Sequence, residues 1–269
     1  MKKRLPKISL LILISIFLLS FLGPSLFFDS INNFNAKEIL LPPSFLHPFG
    51  TDRLGRDLLH RVLEGGRLSL AIGVGSSLIA SFLGLMIGVS AGFFGKIVDK
   101  SIVILIDFFL TFPTFFLLLA LVSYVEASSF ALIIIISITG WMSMARLIRS
   151  ESFSIAQKPF IKILKISNVN SFKIIIKYFT PLLAPIFFIS FTFGVSGAIL
   201  AESGLSFLGI GIMPPQVSWG SILAEGKEVL DVAWWVSFFP GLMIFLITFS
   251  LIKLSDFMQS IFNQNEAIS

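Results

Sequence analysis

Apolar residues fall into six long runs along this chain, at 8–28, 69–94, 102–125, 130–144, 182–200 and 235–252, with shorter polar stretches between them. About 20 mostly apolar residues, at 1.5 Å of rise each, carry a helix across the hydrocarbon layer of a bilayer. Each run reaches or approaches that length. A backbone in lipid must satisfy its own N–H and C=O groups, which a helix does within one segment. The pattern therefore predicts an all-α integral membrane protein with six spanning helices. Composition agrees: 55% of the 269 residues are apolar and 13% charged, more apolar surface than a soluble domain of this length can enclose.

The first run follows Lys2, Lys3, Arg4 and Lys7, a start shared with cleaved signal peptides. It is a full span long, and Gly23-Pro24 leads on to Leu26, Phe27 and Phe28 without a small-x-small cleavage site, so it reads as a retained helix. Lys and Arg near helix ends set orientation. With the N-terminus inside, that basic start, Lys96, Lys100, Lys253 and the cations between 146 and 177 all lie inside. Only Lys37, Arg53, Arg56, Arg61, Arg67 and Lys227 lie outside. The net charge of +5 thus reports topology in a lipid bilayer, with both termini cytoplasmic, and implies no nucleic-acid partner.

Chemistry is sparse. There is no cysteine, which excludes disulfides, thiolate metal sites and thiol catalysis. His47 and His60 share one polar segment without helical metal-ligand spacing. Lys96 and Lys227 each follow a glycine, but Ser90 and Ser221 stand where a phosphate loop needs its first glycine. Ile97 and Glu228 stand where it needs a hydroxyl. No catalytic residue, no metal site and no cofactor bound by this chain are expected. Asp107, inside the third run, costs a few kcal/mol at mid-bilayer; it reads as a proton relay or as a hydrated or paired carboxylate two turns from Lys100, and one acid is too little for a relay. Gly84, Gly88 and Gly92 form successive G-x-x-x-G pairs that allow close helix approach, expected to serve packing within the chain rather than a homodimer.

Two polar stretches carry more. In the segment 29–68, Pro42, Pro43 and Pro48 forbid a continuous helix, while 57–64, with Leu58, Leu59, Val62 and Leu63, fits a short amphipathic one. From His47 it reads HPFGTDRLGRDLLHRVLEGGRLSL. Residues 201–226 read AESGLSFLGIGIMPPQVSWGSILAEG. Both closely resemble signatures of the permease subunits of binding-protein-dependent ABC importers of the peptide/nickel group. His47, Pro48, Gly50, Thr51, Asp52, Gly55, Arg56, Asp57, Arg61, Gly65, Arg67 and Ser69 match the segment before the second helix. Glu202, Pro214, Pro215, Trp219 and Gly220 carry the outer-loop motif before the last helix. The stretch DFFLTFP, with Asp107 and Pro113, matches too and reads as structural there.

The resemblance covers about residues 47–258. It implies a six-helix bundle of the type I ABC importer permease kind, with residues 1–68 as tail, first helix and outer loop, 69–258 as a five-helix permease core, and 259–269 as a cytoplasmic tail. It implies a place in the bacterial inner membrane and several partners: a second homologous permease, two cytoplasmic ATP-binding subunits that hydrolyse ATP, and an extracytoplasmic solute-binding protein. The chain itself is then no enzyme. The implied cargo is di- or oligopeptides, with nickel or a metal chelate as the alternative. A secondary transporter, a membrane hydrolase and an uncoupled permease are the readings from other classes, and the scarcity of intramembrane acids and histidines argues against the first two. Glu202, Glu225, Glu228, Asp231 and the outer arginines offer charges for docking the binding protein, or are simply solvated. Trp219, Trp234 and Trp235 suit anchoring at the membrane interface.

One segment departs from the family pattern. The loop at about 146–180 corresponds to the family's coupling loop, which docks on the ATP-hydrolysing subunit and carries Glu-Ala-Ala and a later Gly. Here Lys162, Ile163 and Leu164 stand at the Glu-Ala-Ala positions and Asn168 at the Gly. The local physics still suits a helix–turn–helix. Pro159 starts a helix; Phe160, Ile161, Ile163, Leu164 and Ile166 alternate with Lys158, Lys162 and Lys165; Asn168 tolerates a left-handed turn. Ser171 then caps a second short helix that runs to Thr180 before Pro181. The segment is read as the coupling helix facing a diverged partner, the alternative being a basic amphipathic helix on anionic lipid.

Overall fold

The computed structural model describes residues 5–26, 34–125 and 128–266. Ten α-helices follow one another: α1 (Lys7–Leu26), α2 (Leu58–Phe94), α3 (Lys96–Leu110), α4 (Thr114–Val122), α5 (Ser129–Gln157), α6 (Pro159–Ile166), α7 (Ser171–Ile174), α8 (Thr180–Phe207), α9 (Trp219–Lys227) and α10 (Trp235–Glu266). Five are long and apolar enough to cross a membrane, and six spans result if α3 and α4 count as one. That pair is bent by 78° around Thr111–Pro113. Pro113 lacks the N–H that would continue the ladder, so the third apolar run is a broken span rather than a straight one.

Other elements outrun the apolar runs that announce them. The short amphipathic helix expected at 57–64 is the beginning of α2, which passes residue 68 without a break. Its N-cap is Asp57, whose carboxylate accepts the His60 N–H. The fourth run continues as α5 to Gln157, so residues 146–157, expected in the inner loop, are helical. α10 carries helix on through Glu266, past the expected start of a tail at 259.

α2 and α5 form the centre of the bundle, joined along the glycine seam. A Cβ on Gly84 would meet Met144 Cβ at 2.7 Å, one on Gly88 the Ala145 carbonyl oxygen at 2.8 Å, and one on Gly92 Ser152 Cβ at 2.3 Å. Small residues recurring every fourth position thus let two backbones touch, which in lipid replaces the hydrophobic effect as the reason to associate. The seam lies within the chain, as its sequence suggested. α1, α8 and α10 complete one side of the bundle around Ile16, Leu70, Val195, Ile199 and Ile247. At the other end, Val89, Phe93, Ile148, Ile155, Ile161, Phe179 and Leu183 bind the α6–α7 loop to the helix ends.

With six crossings, both described ends of the chain and the α6–α7 loop share one face. Residues 34–57 and the α8–α10 connection share the other.

Candidate translocation site

Three structures lie along the bundle: a folded cap, a cavity, and the α6–α7 loop. The cap joins the two family-like stretches, which are far apart in sequence. Gly50 and Gly55 turn the chain at φ of +77° and +72°; a Cβ on Gly55 would fall 2.0 Å from the Asn35 carbonyl oxygen. Between them Asp52 is fully buried. Its Oδ1 accepts the backbone N–H groups of Leu54 (2.8 Å) and Arg56 (3.0 Å), and its Oδ2 accepts from Arg56 Nε (2.6 Å) and Arg61 Nη1 (2.7 Å). Arg61, also buried, forks onto Glu225 of α9, with Nη2 to Oε1 at 2.9 Å and Nη1 to Oε2 at 2.5 Å. His47 Nδ1 lies 2.8 Å from Asp57 Oδ2, and Thr51 accepts the Leu41 N–H and donates to the Glu38 carbonyl.

This network corrects the docking expectation for part of the outer charges, while Asp231 and the Arg53–Glu228 pair stay on the surface. Glu225 is committed to Arg61 and Arg56, Arg53 pairs with Glu228, and Glu202 is not in a loop at all. It sits in the last turns of α8, fully buried. Ser69 Oγ donates to its Oε2 at 3.0 Å and Ser206 Oγ to its Oε1 at 2.8 Å. Each hydroxyl in turn accepts a backbone N–H, from Trp219 (3.1 Å) and Ile212 (2.9 Å). The carboxylate therefore ties α2, α8 and the start of α9 together. Gly220 lets α9 lie directly on α8, since a Cβ there would meet Ser203 Cα at 2.6 Å.

Two tryptophans also change role. Trp219 is 1% exposed and donates its Nε1–H to the Val62 carbonyl; buried Trp235 donates to that of Thr51. They peg the cap shut from within, and only Trp234, half exposed, keeps the surface position expected of an interfacial anchor. Pro214 and Pro215, joined by a cis bond, lie exposed on the α8–α9 connection.

Beneath the cap a cavity of about 470 Å³ opens among α2, α4, α5, α8 and α10. Its wall is apolar, set with hydroxyls that include Ser76, Ser77, Thr139 and Ser190, and it runs to Asp256 and Gln259 on the coupling-loop side. None of these residues stood out in the sequence. The available clue was the supply of serine, threonine and glycine inside apolar runs. Asp107 is outside this cavity and pairs with Arg146 of α5, the paired carboxylate among the readings of its position.

The third structure is the α6–α7 loop. Asn168 has φ +54°, the left-handed turn its sequence position called for. The cap of α7 is Asn170, whose side chain accepts the Phe172 N–H, rather than Ser171. α7 does not stop before Pro181 either: a π-helical turn at Ile175–Phe179 carries it into α8. Pro181 and Pro185 withdraw two N–H donors there, and Thr180 Oγ1 bonds the Ile175 carbonyl at 3.1 Å.

Within α6 the proposed contacts divide. Ile161 is fully buried and Leu164 half-buried. Lys165 turns back to the bundle, its Nζ donating to the Phe93 carbonyl at 2.9 Å and sitting 4.0 Å from the centre of the Phe93 ring. It thereby caps the orphan carbonyls at the end of α2, and burial pulls its ammonium below the usual lysine range. Pro159, Phe160, Lys162 and Ile163 remain exposed, so the outward face of α6 is a mixed apolar and cationic strip.

Residues 80–267 match the family described as binding-protein-dependent transport system inner membrane component. The chain belongs to that family. It is 34% identical over 259 residues to the dipeptide transport system permease protein DppC of Bacillus subtilis, covering 96% of this chain and 81% of that one. It is 32% identical to the oligopeptide transport system permease protein OppC of Mycobacterium bovis, covering 92% and 86%. A peptide transport system permease protein of Brucella suis, named as putative, is 31% identical, covering 95% and 86%. In fold the chain resembles one from an inward-facing MetNI methionine ABC transporter, with a TM-score of 0.57 and 15% identity over 74% of this chain and 96% of that one. This family member is therefore a multi-pass inner-membrane protein of the type I permease fold, a transport component rather than an enzyme.

Proposed function

We propose that this chain is one of two homologous permease subunits that together form the membrane pathway of an ATP-driven importer of di- and oligopeptides. Two cytoplasmic ATP-binding subunits engage the outward strip of α6, at Phe160, Lys162 and Ile163, and a solute-binding protein delivers cargo to the cap. Both termini then face the cytoplasm. The observation that carries this reading is the α6–α7 loop: a partner-sized exposed helix, pinned by Ile161 and Lys165 to the end of α2. A push on α6 is thus a push on the bundle, as a two-state importer requires. Phe45, Leu46 and Val232, exposed near the cap, give the binding protein apolar contacts beside the surface charges of Arg53, Glu228 and Asp231. The three relatives above are all named for peptides, which favours peptide over nickel as cargo.

The test is ATP-dependent uptake by the complete transporter in proteoliposomes, with radiolabelled dipeptides, longer peptides and nickel supplied separately. Peptide uptake abolished by deleting this chain is the expected result. Uptake of nickel alone would overturn the cargo, and uptake without ATP would overturn the machine.

A further inference from the structure

Helix glycines cost about 1 kcal/mol relative to alanine, and most glycines in this bundle are explained by a neighbour that a Cβ would strike. Two are not. A Cβ on Gly197 would meet nothing within 4 Å, and one on Gly140 only Ala80 Cβ at an ordinary 3.5 Å. Both face the cavity. What their missing side chains provide is room, and the resulting 470 Å³ lies in the range of small-molecule sites.

The polar groups around that room are unfinished. Ser76 and Ser190 are 1% and 6% exposed, line the cavity, and have hydroxyls with no hydrogen-bond partner. A buried polar atom without a partner is costly, so a native one asks for an explanation. They also lie at one level. Ser77 donates to the Phe191 carbonyl at 2.7 Å and Ser255 to that of Ile189 at 3.3 Å. Ser76, Ser190 and Asp256 are each one residue away from these contacts. Asp256 forms no ion pair among the described residues, and no Lys, Arg or His lines the cavity. The chemistry is that of a cation-accepting carboxylate level with a pair of neutral hydroxyls.

We propose that this cavity is a solute subsite in which Asp256 receives the ammonium end of a peptide while Ser76 and Ser190 bond its first amide group. The proposal rests on the peptide-importer reading and adds which end of the cargo this subunit holds. With no cation in the wall, a peptide carboxylate is unsuited to this subunit's half of the pathway. Side chains meet a mostly apolar, uncharged wall, so the subsite reads the main chain and tolerates many sequences.

The experiment uses the complete transporter in proteoliposomes, with a free dipeptide and its N-acetylated form as cargoes. Because the chain has no cysteine, Ser143→Cys on the cavity wall gives it a single thiol, and maleimide labelling of this subunit's band, separated from its partners, reports occupancy. The dipeptide should slow labelling and the acetylated form should not. Asp256→Asn should abolish protection and lower dipeptide uptake about tenfold or more, the loss of a charge-assisted hydrogen bond. Asp256→Glu should restore part of both. Equal protection by both cargoes, or wild-type uptake by Asp256→Asn, would overturn the subsite while leaving the importer standing. No peptide uptake by the unmodified transporter would remove the importer reading and the subsite with it.

Discussion

Replacing Glu202 by Gln keeps the shape of the side chain and changes only what it offers its neighbours. Two hydroxyls, on Ser69 and Ser206, already accept the Trp219 and Ile212 N–H groups and give their own hydrogens to the carboxylate, at 3.0 and 2.8 Å. An amide has one acceptor oxygen in place of two. Whichever way it turns, its NH2 faces one hydroxyl, which must either meet it donor to donor or rotate and leave its own hydrogen without an acceptor. The loss is about 1–3 kcal/mol, or a fall of roughly 2–5 °C in melting temperature for a chain of this size. Tryptophan fluorescence of the purified transporter on heating reads it, since Trp219 is bonded into the same cluster. Glu202→Leu, which strands both hydroxyls, should melt lower still. A Gln variant as stable as the parent would refute the donor pattern, because it would mean that the carboxyl already presents a proton to its surroundings. A Leu variant more stable than Gln would show that packing, not hydrogen bonding, holds the cluster.

Arg61→Met leaves Asp52 and Glu225 with only Arg56 between them and should cost about 3–5 kcal/mol, whereas Arg53→Met breaks an exposed pair worth at most about 1 kcal/mol; thermal unfolding of the two variants side by side is the check. Gly88→Val drives side-chain atoms into the Ala145 carbonyl and Arg149 N–H and should lose about 1–3 kcal/mol or more, seen as failure to recover an intact complex, while Gly197→Ala should assemble normally. Lys165→Met should free α6 from the end of α2, read as faster hydrogen exchange across 161–169 and weaker coupling of ATP hydrolysis to uptake. The pH dependence has a definite sign: burial lowers the Lys165 pKa from 10.5, so on raising the pH toward that value the folded chain sheds this proton before the unfolded one does, and stability gains a rising component. That component should vanish in Lys165→Met. Lys162→Glu, on the exposed face, should impair uptake if the ATP-binding partner matches the cation, without moving the melting temperature.

The spans were legible because lipid leaves so little choice. Twenty apolar residues in a row have to be helix, and Gly84, Gly88 and Gly92 declared a contact face by spacing alone. The left-handed turn at Asn168 was equally local, fixed by one residue's tolerance of positive φ. What sequence did not disclose was partnership at a distance. Arg61 and Glu225 are 164 positions apart, and each alone reads as a solvated loop charge. Trp219 reads as an interfacial aromatic until its indole is found on the Val62 carbonyl. Glu202 was misread because the apolar run seemed to end before it, whereas α8 carries the carboxylate into a pocket of hydroxyls. The cavity was invisible for a related reason: Ser76, Ser190 and Asp256 come from three helices, and only the packing of α2, α8 and α10 sets them at one level.

The length of α2 has a mechanical meaning. Its 37 residues make a rod of about 55 Å, with Asp57 of the cap at one end and Phe93, held by Lys165, at the other. Few other elements of the bundle reach both proposed docking surfaces, and this one has no proline between them. A tilt of about 5° about the glycine seam, which lies near its Phe94 end, would swing the cap tip by about 4 Å and the other tip by about 1 Å in the opposite direction. The glycine seam with α5 supplies a fulcrum that can be rocked, because it is a line of backbone contact rather than interlocked side chains. Force from nucleotide binding and the grip on an arriving solute carrier would then be the two ends of one seesaw, read out with opposite sign and without an intervening joint.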